Sequence, residues 1–200
     1  DEPQASTAVS IVVDLDIDTP ADSFALVLGQ VGGFQPQRED DAKIELGFSD
    51  GELTQVMVGA VISADSGLAR RRVVGHSPAH LLLSSFTNQT YESKTAGQIV
   101  QDLADQAGIA VARSEDGIIF PAYVIDGRRS FYNHMQELAE LCGFDLYIDA
   151  NGELVFARFV NGNAIHVFDY GKQIIQLDMQ ETPPAAGEIQ AWGESPGGGQ

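Results

Sequence analysis

The sequence predicts an α+β fold that is mainly β. A small antiparallel barrel or sandwich comes first, then a compact α+β unit, then a further β-region. Three observations predict it. Apolar and polar residues alternate through several early segments, and 21 glycines against only three lysines favour strands and turns over a helical bundle. Two stretches in the middle carry complete start and stop signals for helices. The 200 residues are enough for one or two folded cores. The changes of character place boundaries at 1–90, 91–159 and 160–200.

The first strand runs from Val9 to Ile17, with Val9, Ile11, Val13, Leu15 and Ile17 on the buried side and Ser10, Asp14, Asp16 and Asp18 in water. Thr19-Pro20 stops it. Phe24, Leu26 and Leu28 form a second strand. Ile44, Leu46 and Phe48 form a third, turned at Ser49-Asp50-Gly51 into a long return strand from Leu53 to Ala64. Gly59 in that return marks a bulge or a close backbone approach. Arg70 to His76 is the next strand. Ser77-Pro78 then reads as a cap followed by a first-turn proline, giving a short helix over 78–85.

Thr95 and Gln98 form a capping box. Ile99, Val100, Leu103, Ala104 and Ala107 recur at helical spacing, and Gly108 supplies the left-handed stop. The pattern repeats with Ser130 as cap, Phe131, Met135, Leu138, Ala139 and Cys142 on one face, and Gly143 as the stop. Ile118 to Ile125 offers short strands between the two helices. Phe144 to Asp149 and Glu153 to Phe159 form a hairpin around Asn151-Gly152, the strongest short hairpin signal. Beyond it, Ile165 and Val167, then Ile175, Leu177 and Met179, then Ile189 and Ala191 alternate as strands. Ser195 to Gln200 is a flexible end. This last β-region is too short to close a barrel, so an incomplete domain is expected.

The net charge of −18 is spread along the chain, with 13 acidic and 5 basic residues in 1–90, 10 and 4 in 91–150, and 6 and 2 in 151–200. No basic face remains to grip phosphates, which argues against tight nucleic-acid binding. The surplus suits solubility, or a wall past which acidic cargo slides without sticking. No apolar run is long enough for a membrane-spanning helix, and Asp1-Glu2-Pro3-Gln4 lacks the basic and apolar regions of a signal peptide. Cys142 is the single cysteine, so no internal disulfide is available and a reducing cytosol is the expected setting.

Candidate chemistry reduces to structure at each position. Asp14, Asp16 and Asp18 have the spacing that opens a calcium loop, but Thr19 and Ala25 stand where such a loop needs glycine and glutamate. His76 and His80 are four apart with Pro78 between them, while His134 and His166 stand alone; all four read as surface or hydrogen-bonded histidines. Glu137 and Glu140 are the nearest carboxylate pair and read as the solvated flank of a helix. Cys142 reads as a packed thiol, and Arg70-Arg71-Arg72, the one basic cluster, as a solvated strand end or a partner for an acidic patch on a neighbouring subunit. No catalytic, cofactor-binding or metal-binding residue is assigned, and no cofactor is expected.

The order of pieces resembles a known family. The strand Val58-Gly59-Ala60-Val61-Ile62 leads through a basic strand to the short helix at His80-Leu81-Leu82. The capped helix from Thr95 to Gly108, the second from Ser130 to Phe144 and the hairpin from Asp145 to Phe156 follow. Together they resemble the phage late control protein D family, whose relatives include baseplate hub proteins of contractile tails and the spike proteins of type VI secretion. Glu188 to Gly193 resembles the strand that opens that family's second barrel. The resemblance implies a tube-type antiparallel β-barrel with an α+β insertion and the start of a second β-barrel. It further implies a non-enzymatic homotrimer that joins the tail tube protein to the spike protein, with DNA or effector passing through the lumen. Its expected location is a virion tail or injection-system baseplate assembled in the bacterial cytoplasm. Against this stand two alternatives, a tail-associated cell-wall glycoside hydrolase and a calcium- or carbohydrate-binding β-module.

Overall fold

The computed structural model describes residues 8–29, 35–47, 51–160 and 167–180. The chain divides into two units, Asp1–Val160 and Asn161–Gln200.

The first unit is mainly β, and its first half is one open antiparallel sheet. β1 (Ala8–Asp14), β2 (Ser23–Gly29), β3 (Asp41–Leu46), β4 (Thr54–Ser66) and β5 (Arg70–His76) pair in the order β1-β2-β5-β4-β3. The sheet curls into half a barrel, and β1 and β3 remain as unpaired edges. Three register shifts supply curvature, because an extra residue in one strand bends and twists it. They insert Val9 against β2, Val56 against β3 and Ile62 against β5. Gly59 is not itself the bulge. A methyl group there would lie 2.2 Å from the His76 carbonyl oxygen, so the glycine permits a close backbone approach. Phe24, Leu28, Ile44, Met57, Val61 and Val73 form the sheet's own core.

β1 departs from the expected pattern. It ends at Asp14, and Leu15 and Ile17 lie in the turn that follows. Of the five apolar residues expected to be buried, only Val13 packs against the core. An alternating strand buries a face only where a second layer covers it, and none covers this edge.

The second half is the α+β unit, formed by α1 (Ala79–Ser84), β6 (Gln89–Thr95), α2 (Ala96–Ala107), β7 (Val111–Ser114), β8 (Ile119–Ile125), α3 (Phe131–Cys142), β9 (Asp145–Ile148) and β10 (Leu154–Ala157). β6 pairs with β8, and β7, β10 and β9 form a three-stranded sheet with β10 in the middle. The helix signals read from the sequence operate as expected. Thr95 and Gln98 cap α2 reciprocally, the Ser130 hydroxyl accepts from Asn133 N–H, and Gly108 and Gly143 are left-handed at φ 75° and 65°. The buried faces of both helices meet Leu146, Leu154 and Phe156 in a second, larger core.

One local reading needs correction. Ser77 does not cap α1: its N–H extends the sheet by donating to Asp22 O at 2.9 Å, and its buried hydroxyl meets no partner. The hairpin around Asn151-Gly152 forms as expected, with Ala150, Asn151 and Gly152 at its tip. Asp149 N–H donates to Glu153 O at 2.9 Å, Gly152 takes φ 82°, and the Asp149 carboxylate accepts from the N–H of Asn151 and of Glu153. That carboxylate stabilises the loop, whose Ala150 O and Asn151 side chain then accept from Gln55 Nε2 on β4.

In the second unit, the described residues hold one isolated bridge, Tyr170 to Ile174. The strands expected at Val167 and at Ile175, Leu177 and Met179 are not formed, and Ile175 is 93% exposed. Alternation alone cannot make a strand without a partner to pair with. Ile165, Ile189, Ala191, the Glu188–Gly193 segment and the turn at Ser49-Asp50 lie outside the described residues.

Candidate assembly surface

The two sheet edges differ in chemistry. β3 carries Lys43 and Glu45, ion-paired at 2.7 Å, and charged edge residues discourage pairing with another chain. β1 has no such protection. Ile11 and Val12, adjacent in the regular part of the strand, point to opposite faces, and Val12 is 53% exposed with Val9 and Ile11 exposed beside it. An unpaired edge with apolar side chains on both faces is a surface to be covered.

Beside this edge lies a cleft of about 440 Å³. Leu15 to Asp22 form one wall, α1 and Met57 the floor, and β9 with its hairpin loop the other wall. Its lining is mainly apolar, with Asp16, Asp22, Asp145 and Asp149 around it. Local bonding accounts for much of this acid. Asp16 accepts from Asp18 N–H at 2.9 Å and from the Thr19 hydroxyl at 3.0 Å, an Asx turn that ends β1. Asp22 accepts from Asp16 N–H at 3.0 Å. Burial pushes the Asp22 carboxyl above the ordinary carboxylate range and the Asp16 charge adds to this, while the bond from Asp16 N–H opposes it.

The sign of the Asp22 effect is testable. With its folded value above the unfolded one, the native state holds the proton longer, so the contribution of Asp22 to stability falls as pH rises between the two. Asp22→Asn keeps an acceptor for Asp16 N–H and removes the charge. The variant is therefore expected to match or exceed the parent in urea midpoint at pH 7, with the advantage gone near pH 3, below the unfolded value of about 3.9. A variant that is weaker at pH 7 than at pH 3, relative to the parent, would refute this assignment.

The other sequence candidates are scattered. Asp14 closes β1, and among the described residues no group of three or more His, Cys, Asp or Glu side chains could hold a metal ion. His80 Nδ1 lies 2.8 Å from Ser77 O, while His76 Nδ1 is buried without a partner. His134 is buried on α3 with Nε2 3.2 Å from Asp126 O. His166 lies outside the described residues. Glu137 is bound to Arg129 at 2.5 Å, while Glu140 is exposed. Burial, then the Glu137 charge, pushes the nearby Tyr123 hydroxyl up to about 12, so it stays protonated at neutral pH. The Cys142 thiol packs against the α+β core and accepts from Ile118 N–H at 3.5 Å. Arg70 and Arg72 are exposed at the start of β5. The cleft itself escaped sequence reasoning, because its walls come from segments more than 120 residues apart. The Asp16–Asp22 turn held the only legible hint, acid interleaved with the apolar Leu15 and Ile17.

No protein-family model and no curated protein matches this chain. Among solved structures it is similar to the 43 kDa tail protein of prophage MuSo2 from Shewanella oneidensis, with TM-score 0.62 and 18% identity, covering 78% of this chain and 51% of that one. It is also similar to a tail protein from Neisseria meningitidis MC58, with TM-score 0.56 and 20% identity over 78% and 48% of the two chains. The c3393 protein of E. coli is a component of the type VI secretion system with structural similarity to the T4 bacteriophage tail proteins gp27 and gp5. It matches with TM-score 0.50 and 15% identity over 68% and 42%. The fold is thus one found in phage tail proteins, and the chain spans about half the length of those it resembles.

Proposed function

We propose that this chain is a structural subunit of a phage tail or a phage-tail-like contractile injection machine, acting in its baseplate hub. The observation that carries the reading is the open half-barrel with β1 exposed along one edge, in a fold shared with tail proteins. Such an edge is satisfied when a neighbouring subunit covers it, and a closed ring of copies provides that neighbour for every subunit. In this reading three copies form the ring, the tail tube protein and the spike protein bind its two ends, and DNA or effector crosses the lumen without specific contacts. The acidic surplus keeps such cargo from sticking.

The role is assembly and not catalysis. What supports this is the use of the carboxylates: Asp16 and Asp149 hold turns, and Glu137 is spent on Arg129. No specific observation favours the hydrolase or the calcium-binding alternative. Light scattering on the full-length gene product is expected to give three times the chain mass. A mass of one chain would sink the hub reading.

A further inference from the structure

We propose that the β4–β5 hairpin tip of one copy docks into the cleft of a second copy, Leu68 entering the apolar floor while Arg70 and Arg72 meet the aspartates around it. The contact goes beyond the tail reading and does not depend on it.

The tip is built to be a knob. Gly67-Leu68-Ala69 joins the two strands, and Gly67 N–H donates to Arg70 O at 2.9 Å. Leu68 is 97% exposed, more than any other large apolar residue described. A leucine held so far into water on a tight hairpin gains a great deal from burial against a partner. Arg70 and Arg72 stand beside it, exposed and without an ion pair among the described residues, in a chain of net charge −18. They belong to the longest run of basic residues in the sequence, Arg70-Arg71-Arg72.

The cleft is complementary in both respects. Met57, Leu82 and Leu146 offer an apolar floor, and a volume of about 440 Å³ has room for a leucine side chain and the stem of an arginine. Asp16, Asp22 and Asp145 supply negative charge at its sides. Asp22 uses Oδ1 for Asp16 N–H, and no bond to its Oδ2 is formed among the described residues. Ser77 lines the same space, and its hydroxyl is buried without a partner. An incoming guanidinium would pair with the Asp22 carboxylate.

The topology makes the contact intermolecular. β5 runs away from the tip at Arg70, and the chain reaches the cleft at Ser77, just past the seven strand residues and about 20 Å later. A tip cannot fold back along its own strand, so it must enter another molecule. Tip and cleft are different surfaces, which makes the contact heterologous and able to close a ring or extend a chain.

The experiment is complementation between two damaged copies, read by sedimentation velocity on the whole chain. Leu68→Asp with Arg70→Glu destroys the tip, and Ile17→Arg at the cleft mouth destroys the socket, with Phe159→Arg as a second socket variant. All four positions are exposed, so the fold should survive, as near-UV circular dichroism will verify. Each variant alone is expected to self-associate at least about tenfold more weakly than the parent. An equal mixture should form dimers, since the tip variant keeps a sound socket and the socket variants keep a sound tip. A parent that does not self-associate, or a mixture no heavier than its components, overturns the contact. Variants that remain trimeric overturn it too, while leaving the hub reading intact.

Discussion

Phe156→Ala is expected to lower the free energy of unfolding by about 4 kcal/mol, the middle of the range for emptying a buried phenylalanine site. Phe156 is fully buried on β10, the central strand of its sheet. Its ring meets Phe144 edge to face, centroids 5.2 Å apart and planes at 77°, a geometry that adds to the area buried. The cavity would not collapse readily, because the backbone is fixed from both sides. Phe156 pairs with Leu146 across β9 and with Ser114 across β7, and its carbonyl accepts from Glu115 N–H at 2.9 Å. The buried faces of α2 and α3 belong to the same core, so helical circular dichroism should follow its loss. Urea unfolding at 222 nm measures the effect, with Tyr147→Ala on the exposed side of β9 as a control within about 0.5 kcal/mol. A loss below about 2 kcal/mol would mean that the core repacks around the missing ring.

The parts of the fold that were legible in the sequence are those decided locally. Thr95 with Gln98, and Ser130 with Gly143, set helix ends through bonds between residues three or four apart, so reading them needs no knowledge of the rest of the chain. β6 was not legible, because only Tyr91 among its seven residues is buried and the others look like a loop. Nor was the fate of β1. Its alternation is sound, but whether Val9 and Ile11 meet a core or water depends on a layer that this unit does not supply. Ser77-Pro78 misled for a related reason. The Ser77 backbone is held by Asp22, 55 residues earlier, and that long-range bond turns the hydroxyl away from capping duty. The surfaces most relevant to assembly, the β1 edge and the cleft, are therefore those that a one-dimensional pattern conveys least.

Gly75→Ala should damage the other core almost as severely, by about 3 kcal/mol, at the upper end of the cost of overpacking. Gly75 lies in β5, paired on one side with Phe24 of β2 and on the other with Val61 of β4. A methyl group there would lie 2.2 Å from the Phe24 ring and 2.4 Å from the Ala60 carbonyl oxygen. Neither neighbour yields easily, since Phe24 is buried and Ala60 belongs to a ladder of strand hydrogen bonds. Relief requires β5 to move away from β2 or β4, and β1 reaches the rest of the sheet only through β2. Amide hydrogen exchange should therefore speed up in β1, β2, β4 and β5 while α2 and α3 keep their protection, because the two cores are separate clusters. For the same reason the double variant with Phe156→Ala should be additive within about 0.5 kcal/mol. Uniform acceleration of exchange, or a coupling above about 1 kcal/mol, would instead show the half-barrel and the α+β unit melting as one body. In that case damage to the sheet interior would unfold the whole unit before it loosened the exposed edge.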